Sequence, residues 1–110
     1  MKLYSKKQLE ENNEYCCKNT QIRELTAKIG DGKELTIKFF EMNPDGYSSL
    51  HSHTPQHILV ITGGSGVVFD GEKATAIQTD DIVHITSNEP HQLRATSSEP
   101  LRFICLTMDA

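Results

Sequence analysis

Apolar residues gather in short runs along this chain, many of them alternating with polar ones, and each run closes on Gly, Asn, Asp or Pro. Ile22, Leu25, Ala27 and Ile29 form the first, closed by Gly30-Asp31-Gly32. Leu35, Ile37 and Phe39 alternate with Thr36, Lys38 and Phe40 until Asn43-Pro44-Asp45-Gly46, where turn residues predict a break. Ile58 to Ile61 is continuously apolar and runs into Gly63-Gly64-Ser65-Gly66. Val67–Phe69, Asp70-Gly71 and Ala74–Ile77 read as a hairpin with a type I′ turn. Ile82 to Ile85, Gln92 to Ala95 and Leu101 to Met108 complete the set. Before them, Ser5 followed by Gln8 resembles a capping box, so a short helix is expected over 6–12, ended by Asn12-Asn13. Eight or nine short strands with no long helix predict an all-β sandwich or barrel.

Composition narrows the partners. At 110 residues the chain is expected to form a single domain, a barrel-like region at about 35–108 with an N-terminal extension over 1–34. No apolar run reaches the ~20 residues that a spanning helix needs. The opening Met1-Lys2-Leu3-Tyr4-Ser5-Lys6-Lys7 lacks the apolar centre of a signal peptide, so a cytoplasmic location is expected. The net charge is −4 and the basic residues are scattered, which argues against nucleic acid or an anionic membrane as a partner. Of three cysteines, Cys16 and Cys17 are neighbours, an awkward geometry for a bridge. A reduced compartment without a disulfide is therefore expected.

Histidine is the unusual component. All five lie between positions 51 and 91. His51 and His53 stand two apart at the start of a predicted strand, which points both imidazoles to one face. His57 follows beyond a bend at Pro55, and His91 stands at a later turn-to-strand position. Neutral imidazole is the commonest metal ligand. His84, between Val83 and Ile85, faces away from them and reads as a surface residue.

The spacing around these residues carries a resemblance. Gly46-x4-His51-x-His53-x3-His57-x6-Gly64 and Asp80-x5-Thr86-x-Asn88-x2-His91 are similar to the two motifs of the cupin superfamily, over about residues 35–108. The family's first motif is Gly-x5-His-x-His-x3–4-Glu-x6-Gly, and its second is Gly-x5-Pro-x-Gly-x2-His-x3-Asn. Here His57 stands in place of glutamate, Asp80 and Asn88 in place of glycines, Thr86 in place of proline and Ala95 in place of the last asparagine. Asparagine tolerates the left-handed turn conformation that glycine supplies at Asn88. The resemblance implies a jelly-roll β-barrel with metal ligands His51, His53, His57 and His91, as in small single-domain cupins that hold manganese or iron on four imidazoles. Nickel and zinc suit imidazole as well. Four neutral ligands cancel none of the charge on a divalent cation, so an anionic ligand is favoured.

On that resemblance the chain is expected to be a metal-dependent oxidoreductase, of dioxygenase type, acting on a small anionic or enolic molecule. A non-catalytic metal-dependent module binding a small molecule or sugar is the rival. A homodimer is expected, with the strand at Ile22–Ile29 covering the partner's edge. Phe39, Phe103 and Cys105 are expected to line the pocket, though both faces of Leu101–Thr107 are apolar and the pattern alone does not choose between them. No general acid or base stands out. Gly63-Gly64-Ser65-Gly66 lacks the lysine and helix of a phosphate loop and reads as a turn.

Overall fold

The runs identified above become nine antiparallel strands in the computed structural model, which describes residues 1–11 and 16–109, the last of these by its backbone. They are β1 (Glu10–Glu11), β2 (Cys17–Lys28), β3 (Glu34–Ser48), β4 (His57–Gly63), β5 (Ser65–Phe69), β6 (Ala74–Gln78), β7 (Ile82–Ile85), β8 (Gln92–Ala95) and β9 (Leu101–Asp109). They pair in the order β6-β5-β8-β3-β9-β4-β7, with β2 along β3 and β1 on β2. The fold is all-β, a single sheet curled into a half-barrel.

Curling depends on β3. Its first half pairs with β9 from Glu34↔Asp109 to Met42↔Leu101, and its far end meets β8 at Tyr47↔Arg94. The corner between them is Asn43-Pro44-Asp45-Gly46, where a break was expected. Instead the strand bends and continues to Ser48. Asp45 takes φ +68°, and a Cβ on Gly46 would lie 2.7 Å from Met42 Cγ and 2.8 Å from the Asn43 carbonyl oxygen. β2 follows through a matching irregularity at Asn19, φ +55°, whose side-chain amide donates to the Pro44 carbonyl at 3.2 Å. Local turn residues here make a bulge, which tightens the bend without ending the pairing.

Four other expectations change. Residues 6–8 form one 3₁₀ turn, Ser5 makes no side-chain cap, and the chain re-enters a strand at Glu10; Asn12-Asn13 lies outside the described residues. The β5–β6 hairpin closes through Asp70–Lys73 rather than a two-residue turn, because the Asp70 carboxylate accepts the backbone N–H groups of Glu72 and Lys73 at 2.9 and 2.8 Å. Those bonds stabilise the charged form and hold the carboxyl below its usual pKa. β2 runs along its own β3 over almost its whole length, so it covers an edge of the same chain. Finally, Cys16 and Cys17 are disulfide-bonded. Strand alternation would separate neighbouring side chains, but Cys16 lies in the turn just before β2 begins at Cys17.

The core fills the hollow of the curl. Met42, Leu59, Ile61, Ile77, Ile85, Leu93, Leu101 and Phe103 are buried in one cluster, with Cys105 at its edge toward the histidines. On β9 the inward set is therefore Leu101, Phe103 and Cys105. Among the described residues no helix is long and apolar enough to cross a membrane.

Candidate metal centre

The backbone brings the two histidine blocks together. His51 N–H donates to the His91 carbonyl at 3.2 Å and His91 N–H to the His51 carbonyl at 2.9 Å. Asn88, at φ +62°, donates its N–H to the His53 carbonyl at 2.8 Å, and Asp80 takes φ +76°. Both positions that carry glycine in the motif thus adopt the left-handed backbone here, through residues whose short side chains tolerate it.

The donor atoms of His51, His53 and His91 lie within 4.8 Å of one another. Their tautomers follow from their hydrogen bonds. His51 Nδ1 lies 2.7 Å from the Ser49 carbonyl oxygen and His91 Nδ1 lies 2.9 Å from that of Glu89. A carbonyl oxygen only accepts, so both Nδ1 atoms carry hydrogen and each Nε2 keeps its lone pair. An imidazole that donates its outer N–H to a carbonyl is oriented as metal ligation requires. Burial holds His91 below the ordinary imidazole pKa and so keeps it neutral. The residues present fit a divalent transition metal: three imidazole nitrogen donors converge within 4.8 Å beside the cavity.

His57 is placed differently. It is not one of this trio, and its Nε2 lies 2.8 Å from His53 Nδ1. Its Nδ1 lies 2.8 Å from Thr107 Oγ1 and 3.2 Å from Cys105 Sγ. If His53 presents Nε2 inward, its Nδ1–H donates to His57 Nε2, and His57 Nδ1–H then donates to Thr107. Burial, followed by the neighbouring His53 and His91, lowers the His57 pKa to about 4. His57 is therefore neutral at physiological pH, as that chain of hydrogen bonds demands. His84 stands apart, exposed and bonded to Gln56 Oε1 at 2.7 Å.

A cavity of about 420 Å³ opens over the imidazoles, walled by Phe40, Leu59, Phe103 and Cys105 and reached by Lys38. Phe39, expected here, lies against a different groove, with Lys6 over its ring at 6.0 Å. Phe40 takes the place beside Phe103, to which it is paired across β3 and β9 and on which it stacks at 4.5 Å. The apolar alternation of Leu35, Ile37 and Phe39 thus marks the outer face of β3, and Lys38, Phe40 and Met42 share the inner one. Thr107 and Ser49 were missed by sequence reasoning. Thr107 shares a strand face with Cys105, the one available signal; Ser49 acts through its backbone, which no side-chain pattern reveals.

The comparisons with known proteins agree with the fold. Residues 38–107 match the model of the cupin domain. The chain belongs to that family. A curated relative, the 1-methylthio-D-xylulose 5-phosphate methylsulfurylase of Rhodospirillum rubrum, is 34% identical over 88 residues, 77% of this chain and 56% of the relative. The chain thus spans about half the length of that relative. Among solved structures, the polyketide cyclase RemF of Streptomyces resistomycificus has a TM-score of 0.83 at 21% identity, covering 98% of this chain and 79% of that one. A cupin-2 domain protein of Rhodospirillum rubrum has a TM-score of 0.76 at 27% identity, covering 96% and 73%. A predicted oxalate decarboxylase of Thermotoga maritima matches at 0.81 and 18% identity, over 99% and 100%.

Proposed function

We propose that this cupin is a metal-dependent enzyme acting on a small anionic or enolic molecule bound over His51, His53 and His91. The observation that carries this reading is the convergence of three imidazoles whose Nδ1 atoms lie within hydrogen-bond distance of a carbonyl oxygen or of a neighbouring ring. A bound divalent ion supplies Lewis acidity and a +2 charge that no protein carboxylate in the trio offsets. Manganese and iron are the proposed ions, with nickel and zinc compatible with the same donors.

The chain's own residues do the rest. Phe40, Leu59 and Phe103 exclude water from one side of the cavity, which strengthens the field of the ion on the substrate. His57 holds the His53 ring through its Nε2 and passes the orientation to Thr107 Oγ1. As a fourth ligand through Nε2 it would give up the bond to His53 and keep the one to Thr107; with its Nε2 held on His53, we assign it a positioning role. Lys38, on the cavity wall and ion-paired with Glu24 at 4.0 Å, contributes its cationic side chain to the wall that an anionic substrate would meet.

The methylsulfurylase relative supports an enzyme over a passive binding module, and it suggests sugar phosphates, with and without a methylthio group, as the first substrates to try. The test is turnover by protein loaded with each metal, on a panel of ketose phosphates, diketones and phenols, followed by oxygen uptake and product analysis. Oxygen uptake with both oxygen atoms recovered in the product makes it a dioxygenase. Product without uptake makes it a non-oxidative enzyme. Saturable binding with no product across the panel would favour the binding module.

A further inference from the structure

All three cysteines of the chain line the cavity over the histidines. They differ in state and depth. Cys105 is buried at 6% exposure and keeps its thiol, 3.2 Å from His57 Nδ1. Cys16 and Cys17 are half-buried and joined in a disulfide. The pair is anchored to the segment that leads into the metal ligands: Cys17 is in register with Ser48, and Ser49 N–H donates to the Cys16 carbonyl at 2.7 Å. A half-buried sulfur pair and an inner thiol therefore share one cavity, close to groups that the metal chemistry does not consume.

We propose that Cys16 and Cys17 are a resolving pair that keeps Cys105 in its thiol form, using a low-molecular-weight disulfide RSSR as the oxidant they remove. The disulfide first exchanges with Cys105. Its S–S bond breaks, the Cys105 Sγ–SR bond forms, and one RSH departs with the proton of the thiol. With the pair reduced, the thiolate of Cys16 or Cys17 attacks this mixed disulfide. Cys105 Sγ leaves and regains a proton, and SR moves to the pair. The neighbouring cysteine then displaces the second RSH and closes the Cys16–Cys17 bond. In sum RSSR is reduced to two RSH, the pair loses two electrons and two protons, and Cys105 returns unchanged. The disulfide in the structure is the product state, and a small dithiol reductant reopens it by exchange, being oxidised to its own disulfide as Cys16 and Cys17 take up two electrons and two protons. Exchange of this kind needs a thiolate with access to the disulfide sulfur, which a shared cavity provides.

The experiment uses the reduced full chain, before and after removal of metal, mixed with 2-hydroxyethyl disulfide, quenched with acid and mapped by peptide mass spectrometry. In the wild type a Cys105 adduct should appear first and vanish as the Cys16–Cys17 bond forms, with two mercaptoethanol released per chain. In the Cys16→Ser/Cys17→Ser variant the Cys105 adduct should persist at least about a hundredfold longer, because a thiol in the same cavity competes at an effective concentration near millimolar. A Cys105→Ser variant keeps the pair intact and should form the Cys16–Cys17 bond more slowly than the wild type. The proposal is overturned if the wild-type adduct lasts as long as that of the double variant, or if Cys105→Ser leaves the rate of pair oxidation unchanged. None of these readouts depends on bound metal or turnover, so their failure is distinct from failure of the enzyme reading.

Discussion

At the scale of single residues, the four clustered histidines divide into two kinds by their hydrogen bonds. His51, His53 and His91 present converging donors; His57 spends both ring nitrogens on protein partners. Replacing any of the first three by Ala should reduce metal content to background on dialysis. His57→Ala should weaken metal affinity by about 10–100-fold without abolishing it, the usual cost of losing a group that orients a ligand. Competition with a chelating dye measures both, and abolished binding in His57→Ala would restore His57 as a ligand. In the metal-free protein, burial lowers the folded-state pKa of His57 to about 4 and that of His91 in the same direction. The unfolded imidazoles titrate near 6.5. Between those values the unfolded state binds more protons, so stability should be level above pH 7 and fall as pH drops from about 6.5 toward 4. Urea denaturation at several pH values checks this, and His57→Gln should flatten part of the slope.

At the scale of elements, close backbone approach matters most where strands cross the hollow. A Cβ on Gly64, which has φ +73°, would sit 2.2 Å from the Pro100 carbonyl oxygen; on Gly66 it would sit 2.2 Å from that of Arg94. Backbone oxygens within a strand, as at Arg94, or next to one, as at Pro100 before β9, cannot step aside as a flexible side chain would. Gly64→Ala and Gly66→Ala should each cost about 2–4 kcal/mol, from overpacking and, at Gly64, left-handed backbone strain. Gly71, at φ +102° with open space around it, should cost about 1 kcal/mol as alanine. Urea midpoints at constant slope would show that ranking, and equal losses at Gly66 and Gly71 would contradict it.

At the scale of the whole molecule, a metal held by His51, His53 and His91 would tie the β3–β4 connection to the β7–β8 connection, which are joined there by the His51–His91 bridge and the Asn88 N–H bond to the His53 carbonyl. A metal that binds the native state alone should stabilise it by about 2.7 kcal/mol at a hundred times its Kd. The melting temperature should therefore climb with metal concentration and return on chelation. The His91→Ala protein should show no such climb, while His84→Ala should behave like the wild type, since His84 lies on the outside against Gln56.

Strand content and the family motifs were legible in the sequence, because each depends on neighbours a few residues apart: a turn residue, a fixed spacing; His51 and His53 were read as the start of a strand, whereas they stand in the connection before β4, where the bridge to His91 places them. The left-handed position at Asn88 belongs to the same class; that at Asp80 emerged only in the structure. Which face of β3 looks inward was not legible, since Phe39 and Phe40 are equally apolar; the register of Phe40 against Phe103 on β9, 63 positions away, decides it. His57 was read by its place in a motif; besides His53 nearby, its partners are Thr107 and Cys105 on β9, beyond the reach of any local spacing. The same holds for Cys16 and Cys17. Adjacency argued against a bond, whereas the turn that enters β2 made one and set it on the rim of the histidine cavity. Local periodicity determines elements and the faces within them; which faces meet is a long-range packing outcome, set where strands distant in sequence find a common register.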